Sequence, residues 1–294
     1  MFFQRLRLTL DMIKFEHSIF ALPFALTGAL LAWRNAGFPM EGAAWKLLWI
    51  VAAMVGARSA GMAFNRILDA DIDGLNARTK MRHLPAGLLP AGFAWGFLFA
   101  MGGVLILAAA MLGPLCLYLS PLALAIVMGY SYTKRFTSWS HLVLGFALGI
   151  APAAAWIAVE GALDPRILWL TAAVTFWTAG FDIIYSCQDF EFDRGTGLHS
   201  VPKRLGIAGA LTLSRILHMA MLICLVMLLQ SFSLGPLGAV GIGIVALLLV
   251  YEHSLVKADD LSRVNAAFFT VNGYVSVLFF VFWAADVWYA SRGV

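Results

Sequence analysis

Charged residues are scarce in this chain. Lys, Arg, Asp and Glu together make up 12% of its 294 residues, whereas an average soluble domain carries about 25%. Hydrophobic residues make up 62% of the chain, and its mean hydropathy is +0.86. This shortage of charge excludes an ordinary soluble domain and indicates a protein whose surface meets the acyl chains of a lipid bilayer.

Cysteine is also rare. The three cysteines, Cys116, Cys187 and Cys224, lie far apart in sequence, in or beside apolar stretches. Cysteines in such surroundings act mainly as small apolar packing residues. Their number and spacing favour neither a disulfide framework nor a Cys-based metal site.

Long apolar runs fill most of the sequence. A membrane-spanning helix needs about 20 predominantly apolar residues, and little length remains between the runs for a soluble domain. We therefore expect an all-α membrane protein, a bundle of nine transmembrane helices formed by a single domain over residues 1–294. The nine runs lie near residues 14–33, 47–68, 92–112, 114–133, 141–159, 167–187, 209–230, 236–256 and 267–288.

The few cationic residues are unevenly distributed between the two ends of the predicted spans. Fifteen of the 20 Lys and Arg residues fall at the end that holds the N-terminus, four fall at the other end, and Arg58 lies within the second span. Lys and Arg accumulate on the cytoplasmic side of membrane proteins. The distribution therefore predicts a cytoplasmic N-terminus.

Two acidic motifs lie at the ends of the second and sixth predicted spans, on the predicted cytoplasmic side. Asp69 and Asp73 form the first Asp-x-x-x-Asp pair, and Asp189 and Asp193 form the second. On a helix such a pair lies on one face, with about 5–6 Å between Cβ atoms, and a helix C-terminus also attracts cations. Since proteins bind Mg²⁺ through one or two carboxylates together with substrate phosphates, the pairs predict a magnesium site. Their separation by four spans suggests a parallel internal repeat.

Basic residues near these motifs exceed what four carboxylates and two Mg²⁺ ions require. A diphosphate fits the surplus, because metals bridge its oxygens while Arg and Lys hold the others, and Tyr132 could donate to a phosphate oxygen. Any one of the cations could equally determine topology or contact lipid headgroups, and tyrosine is enriched at membrane interfaces in any case. The surplus cations are Arg78, Arg82, Lys134, Arg135, Lys203 and Arg204.

Polar residues recur at helical spacing along the second and sixth spans. Arg58 and Asn65 precede the first acidic pair, and Asp182 and Tyr185 precede the second. Within lipid, such a ridge must face a partner or a water-filled cavity. One interpretation is a polar cavity shared by both spans, and the alternative is that Arg58 and Asp182 simply pair with each other inside the bundle.

Four segments follow one another in a fixed order along the predicted spans. They are Asn65-Arg66-x-x-Asp69-x-x-x-Asp73, the loop over residues 78–87, Tyr132-Thr133-Lys134-Arg135, and Asp182-x-x-Tyr185-x-x-x-Asp189-x-x-x-Asp193 followed by Lys203. This order is more specific than either acidic pair alone, and the four segments together resemble the UbiA superfamily of intramembrane aromatic prenyltransferases. A further segment, residues 14–24, resembles the 4-hydroxybenzoate polyprenyltransferase branch and its bacterial relatives.

The resemblance implies an enzyme that uses Mg²⁺ to transfer a polyprenyl group from polyprenyl diphosphate to an aromatic acid of the 4-hydroxybenzoate type in quinone biosynthesis. Its partners would be these substrates and the lipid bilayer, with no nucleic acid. Its active site would lie on the cytoplasmic side of the inner membrane. The alternatives are prenylation of a naphthoate-type menaquinone precursor, a membrane phosphotransferase for lipid alcohols, and an ion-coupled transporter. Transporter sites usually lie near the bilayer midplane, whereas these motifs lie at one end of the spans.

The resemblance also implies roles for individual residues. The acceptor's carboxylate would bind Arg58 or Arg135, and Asp182 or a metal-bound Asp would accept the ring proton. The implied metal ligands are Asn65, Asp69, Asp73, Asp189 and Asp193. The implied diphosphate contacts are Arg66, Arg78, Arg82, Tyr132, Lys134, Arg135 and Lys203, and the implied catalytic residues are Arg58, Asp182 and Tyr185.

Overall fold

The computed structural model describes residues 2–13, 20–39 and 41–291, and within these ranges the chain is helical and has no β-strand. Short 3₁₀ turns, Pro165–Ile167 and Cys187–Asp189, precede α8 and α9, and a π-helical segment, Ala266–Val271, precedes α12. The α-helices of the described part are α1 (Phe2–Met12), α2 (Leu22–Asn35), α3 (Ala43–Leu68), α4 (Ala70–Leu75), α5 (Ala91–Leu112), α6 (Pro114–Thr133), α7 (Ser140–Glu160), α8 (Leu168–Ser186), α9 (Phe190–Gly195), α10 (Val201–Ser231), α11 (Pro236–Ser254) and α12 (Asn272–Ser291).

Eight helical segments within the described ranges are long and apolar enough to cross a membrane. Together with the composition, they make the chain an all-α integral membrane protein. The first of the nine predicted spans, residues 14–33, is described only in part, because residues 14–19, with Lys14, Glu16 and His17, lie outside the described ranges. Its described portion, α2, has 14 residues. The total of nine spans and the cytoplasmic N-terminus therefore stay predictions.

Glycines let α7 and α8 pack closely. A Cβ atom at Gly145 would lie 2.2 Å from the carbonyl oxygen of Thr175, and one at Gly149 would lie 2.6 Å from that of Thr171. Small residues at such crossings are typical of membrane helices, because close backbone approach replaces the hydrophobic driving force that lipid removes. This contact brings the start of α7 against the half of α8 that carries Asp182.

The helix before each acidic motif is interrupted at or just before the first aspartate, since α8 ends at Ser186 and a 3₁₀ turn reaches Asp189. α3 ends at Leu68, and Asp69 has φ −94° and ψ 2°, while Asp189 has φ −96° and ψ 7°. These values lie in the sparsely allowed bridge region, and a six-residue helix, α4 or α9, then carries the second aspartate. Each Asp-x-x-x-Asp pair, expected on one helical face, therefore lies across a break between two helical elements. The matching interruptions support the idea of a parallel repeat.

α10 is interrupted at Gly206. This residue has φ 72° and ψ 167°, a conformation that glycine adopts readily because it has no Cβ. Residues 201–205 form a short helical piece before the interruption, and the long apolar helix continues after it. The short piece begins at Val201, which is buried beside α7 and contacts His141.

Candidate active site

A cavity of about 1000 Å³ lies between α3, α5, α6, α7 and α8. Both acidic motifs line one end of it, and we call this part, defined by Asp69, Asp73, Asp189 and Asp193, the acidic end. The far wall is apolar and includes Ile50, Leu112 and Cys116. Of the fifteen residues predicted for the site, twelve line this cavity: Arg58, Asn65, Arg66, Asp69, Asp73, Arg78, Arg82, Lys134, Asp182, Tyr185, Asp189 and Asp193.

Asp69 is almost fully buried, with 1% of its surface exposed. Side chains from α3 and from the segment after α6 both donate hydrogen bonds to its carboxylate. Asn65, one turn earlier on α3, donates from Nδ2 to Oδ2 of Asp69 at 3.0 Å. Lys134 also donates to Oδ2, and Arg135 donates from Nη2 to Oδ1 at 3.0 Å. A buried carboxylate requires such partners, so the segment after α6 neutralises the first motif.

The loop that follows the first motif reaches both motifs. Arg82 donates from Nη1 to the two carboxylate oxygens of Asp73, at 2.7 Å each. Arg78 forms a two-pronged ion pair with Asp189, in which Nε donates to Oδ1 at 2.9 Å and Nη2 donates to Oδ2. Asn76 donates from Nδ2 to the same Oδ1 at 2.9 Å. One loop therefore links the two motifs at a single cavity mouth.

Arg78 also contacts Tyr185, which lies one turn before Asp189. Its Nη1 donates to the Tyr185 hydroxyl at 3.2 Å, and its guanidinium lies 5.3 Å from the centroid of the Tyr185 ring. Burial lowers the pKa of Arg78, but hydrogen bonding to Asp189 opposes this, and the net pKa lies above its ordinary value. Arg78 is therefore a permanent positive charge at the acidic end.

Asp182 lies deeper in the cavity and is paired with histidine rather than arginine. Its Oδ2 lies 2.6 Å from Nδ1 of His141. Arg58, the partner in the alternative considered above, donates from Nη1 to the carbonyl oxygen of Ile13 at 3.4 Å. Arg66 likewise donates from Nε to the carbonyl oxygen of Met12 at 3.2 Å. Two arginines of the cavity wall thus hold the end of α1.

Three predicted diphosphate contacts do not line the cavity. Tyr132 is 46% exposed, and its ring packs on Phe64 with a centroid distance of 5.7 Å. Arg135 lies behind Asp69, where it also donates to the carbonyl oxygen of Leu68 at 3.0 Å. Lys203 donates to two carbonyl oxygens of the preceding loop, at 2.7 Å each. The structure therefore gives these three side chains other partners, and their predicted contact with diphosphate is not supported by their placement.

Some lining residues have no recognisable sequence signal. Asn76 and His141 each contact a predicted aspartate, but neither belongs to the motifs or polar ridges recognised in the sequence. Phe268 and Phe269 line the cavity from the π-helical segment, and the Phe268 ring centroid lies 4.2 Å from that of Tyr185. Only a polar residue that follows a motif closely, such as Asn76, could have been suspected from sequence.

The side chains at the acidic end suit a hard cation. Four carboxylates and the amides of Asn65 and Asn76 supply the oxygen ligands that Mg²⁺ prefers. Within the described ranges, no three acidic, His or Cys side chains converge as a closed cage. Mg²⁺ does not require a closed cage, because it commonly takes one or two carboxylates and completes its shell with water and substrate phosphates. The donor set therefore fits Mg²⁺ that is bound together with a phosphate-containing substrate.

Comparison with known proteins places this geometry in a family. The chain is 30% identical to the 4-hydroxybenzoate octaprenyltransferase of Vibrio campbellii over 236 residues, which covers 80% of this chain and 82% of that protein. It is 31% identical to the enzyme of the same name from Vibrio atlanticus over 248 residues, 81% of this chain and 84% of that one.

Solved structures show the same fold. A UbiA homologue from Aeropyrum pernix superimposes with a TM-score of 0.81 at 35% identity, over 92% of this chain and 98% of that one. A UbiA homologue from Archaeoglobus fulgidus bound to DMAPP and Mg²⁺ has a TM-score of 0.69 at 19% identity, over 95% and 98% of the two chains. The model of the UbiA prenyltransferase family matches residues 21–283. The chain therefore belongs to the UbiA prenyltransferase family and is a membrane prenyltransferase.

Proposed function

We propose that this enzyme transfers a polyprenyl group from polyprenyl diphosphate to an aromatic acid of the 4-hydroxybenzoate type, with Mg²⁺ as its metal. The observation that carries the proposal is the convergence of both acidic motifs with Arg78, Arg82 and Lys134 at one end of an otherwise largely apolar cavity. The names of the Vibrio relatives support the acceptor. The cationic loops at this end favour a site on the cytoplasmic side of the inner membrane.

The diphosphate head would bind at the acidic end. Mg²⁺ held by the four aspartates and Asn65 would supply Lewis-acid stabilisation of the leaving diphosphate. Arg78 pairs with Asp189 and Arg82 pairs with Asp73. Their guanidinium groups would also hold phosphate oxygens, which arginine can bind in a two-pronged manner, while the aspartates would hold the metal.

The prenyl tail would occupy the apolar part of the cavity. Small residues line it on α3 and α7, among them Ala53, Ala57, Gly61, Ala151 and Ala154, and their short side chains create the volume. An apolar wall excludes water, which would otherwise capture the allylic cation formed when the C–O bond breaks. Tyr185 and Phe268 present aromatic rings near the acidic end, where cation–π attraction stabilises positive charge.

The aromatic acceptor would lie between the acidic end and Asp182. Arg58 would bind its carboxylate, exchanging the carbonyl oxygen of Ile13 for the substrate. The electron pair of the C–O bond leaves with the diphosphate, and the ring attacks the allylic carbon to form a C–C bond. Asp182 then accepts the proton from the attacked ring carbon, and the C–H electron pair restores aromaticity.

A substrate panel tests this proposal. Purified enzyme in liposomes receives radiolabelled polyprenyl diphosphate with 4-hydroxybenzoate, with a dihydroxynaphthoate, or with no acceptor. We expect a labelled prenylated product with 4-hydroxybenzoate and Mg²⁺, and none after EDTA treatment. If only the dihydroxynaphthoate yields product, the acceptor is instead a naphthoate-type menaquinone precursor. Failure with every aromatic acid would refute the proposal.

A further inference from the structure

Asp182 has a partner to which the proposed function gives no role. His141, the second residue of α7, is 5% exposed, and its Nδ1 lies 2.6 Å from Oδ2 of Asp182. Its Nε2 accepts a hydrogen bond from the backbone N–H of Val201, the first residue of α10, at 3.4 Å. His141 therefore lies between α8 and α10 with both ring nitrogens occupied.

The backbone of Val201 determines which tautomer His141 adopts. An N–H at the first position of a helix has no acceptor within that helix, and it can only donate. Nε2 of His141 must therefore present a lone pair, so the single proton of the neutral ring lies on Nδ1. A doubly protonated ring would direct a second N–H at the Val201 N–H. Asp182 consequently faces a donor, and its Oδ2 accepts a hydrogen bond from the Nδ1–H of His141.

The location of Asp182 suits a reaction that takes place below the diphosphate. It precedes Asp189 by seven residues, which is about 10 Å along a helix. The Asp182 side chain lines the cavity and is 23% exposed, whereas the His141 side chain is 6% exposed. Among the described residues, His141 supplies the one hydrogen bond to this carboxylate, through Oδ2. This leaves Oδ1 as the oxygen that can take a proton.

We propose that His141 is a positioning residue for the proton-transfer step. It fixes the orientation of Asp182 through the contact with Oδ2, so that Oδ1 accepts the proton released by the prenylated ring. The proton moves from the ring carbon to Oδ1, and His141 keeps its own Nδ1 proton throughout. This inference rests on the proposed function, since it concerns the base of the same reaction.

A deuterium isotope effect distinguishes this role from simple packing. In the wild-type enzyme, loss of the ring proton should be faster than C–C bond formation, so protio and ring-deuterated acceptors should react at nearly equal rates. We expect His141→Phe to lower kcat about 10- to 100-fold, because a general base contributes about 10²- to 10⁴-fold and Asp182 itself remains. The deuterated acceptor should then react more slowly than the protio acceptor, while KM for both substrates changes little.

His141→Gln is the matched control. Its amide can donate to Asp182 and accept from Val201 N–H, so it should restore most of kcat and the wild-type isotope effect. If His141→Phe does not fold, His141→Asn replaces it, because the same amide on a shorter side chain cannot reach both partners. An isotope effect that stays at the wild-type value in the slow variant would overturn the inference, as would a change confined to KM. A wild-type enzyme that forms no prenylated aromatic product would instead overturn the proposed function.

Discussion

Neighbouring acidic residues in the two motifs differ in where their carboxylates lie. Asp69 and Asp73 are buried and line the cavity, whereas Asp71, on the same short helix as Asp73, is exposed. In the second motif Asp189 lines the cavity, while the Glu191 side chain is 81% exposed. Asp71 and Glu191 are therefore suitable controls, because each has the same charge as the neighbouring cavity-lining aspartate and lies close to it in sequence.

Removing one charge from a lining carboxylate should abolish turnover without unfolding the protein. We expect Asp69→Asn and Asp189→Asn to lower kcat by about 100-fold or more, the scale of losing one group that stabilises developing charge. Asp71→Asn and Glu191→Gln should stay close to the wild type. The measurement is prenyl transfer by purified variants whose elution profile and thermal unfolding match the wild type. Equal losses in all four variants would show that motif charge in general, and not the lining carboxylates, is required.

Even the substitution of Arg78 by lysine should weaken binding of the prenyl diphosphate. Its guanidinium contacts Asp189 with two nitrogens and Tyr185 with a third, and an ammonium group cannot reproduce that planar geometry. We expect Arg78→Lys to raise KM for the prenyl diphosphate about 10-fold, the equivalent of roughly 1.4 kcal/mol. Lys80→Arg, two residues away on an exposed side chain, should leave KM unchanged. Steady-state kinetics at varied prenyl diphosphate concentration give KM for both variants.

The sequence predicted most of the site because the motif residues carry charge where charge is costly. An aspartate in an apolar chain needs a compensating partner, so the acidic and basic residues near the span ends were recognisable. The sequence could not predict that Asn76 donates to Asp189 or that His141 contacts Asp182. Those contacts depend on how a loop folds back and how two helices pack. For the same reason, the side chains of Tyr132 and Lys203 could not be assigned to the cavity or to another partner.

At the scale of single elements, the π-helical segment before α12 is held by one buried asparagine. Asn272 donates from Nδ2 to Oε1 of Glu252 at 2.9 Å and to the carbonyl oxygen of Ala267 at 3.1 Å. Its Oδ1 accepts from Nε1 of Trp177 at 2.7 Å. A π-bulge releases carbonyl groups from the regular helical pattern, and such bulges are often found at functional sites. Here the segment carries Phe268 to the ring of Tyr185.

Asn272→Ala should therefore destabilise the bundle. Each buried donor or acceptor that loses its partner costs about 1–3 kcal/mol, and this change leaves groups on Trp177 and Glu252 unpaired. We expect the free energy of unfolding to fall by about 2–4 kcal/mol. Asn265→Ala, just before the same segment on an exposed side chain without a capping hydrogen bond, should have little effect. Thermal unfolding of both variants in detergent provides the comparison, and equal midpoints would contradict the role of Asn272.

Helix ends were predictable wherever the apolar run and the helix end together. The spans expected over 92–112 and 114–133 correspond to Ala91–Leu112 and Pro114–Thr133, because Gly113 and Pro114 separate two otherwise continuous apolar runs. α10 begins at Val201 instead of near 209, since its first turn is polar and is joined to the span at Gly206. Hydropathy reports burial in lipid, so it does not detect a polar helical turn.

At the scale of the whole molecule, the acidic end of the cavity and most of the cationic loops lie at the same end of the bundle. The acidic end collects the cationic segments around Arg78, Lys134 and Lys203, whereas the loop before α3 carries the exposed Glu41. Since Lys and Arg are retained on the cytoplasmic side, the charge distribution favours the orientation that places the acidic end in the cytoplasm. The two ends of the bundle should therefore differ in access to a reagent that cannot cross the membrane.

Cysteine labelling can measure this orientation. Within the described ranges the three native cysteines are free, and Cys187 and Cys224 are buried, so a variant with all three replaced by Ala is a suitable background. We expect Glu191→Cys, on an 81% exposed side chain, to react with a membrane-impermeant thiol reagent in inverted vesicles but not in intact spheroplasts. Glu41→Cys, at the opposite end of α3, should show the reverse pattern. Labelling of both positions from one side would place the acidic end and the start of α3 on the same face of the membrane and contradict the spanning arrangement. An exchanged pattern would place the acidic end outside the cytoplasm.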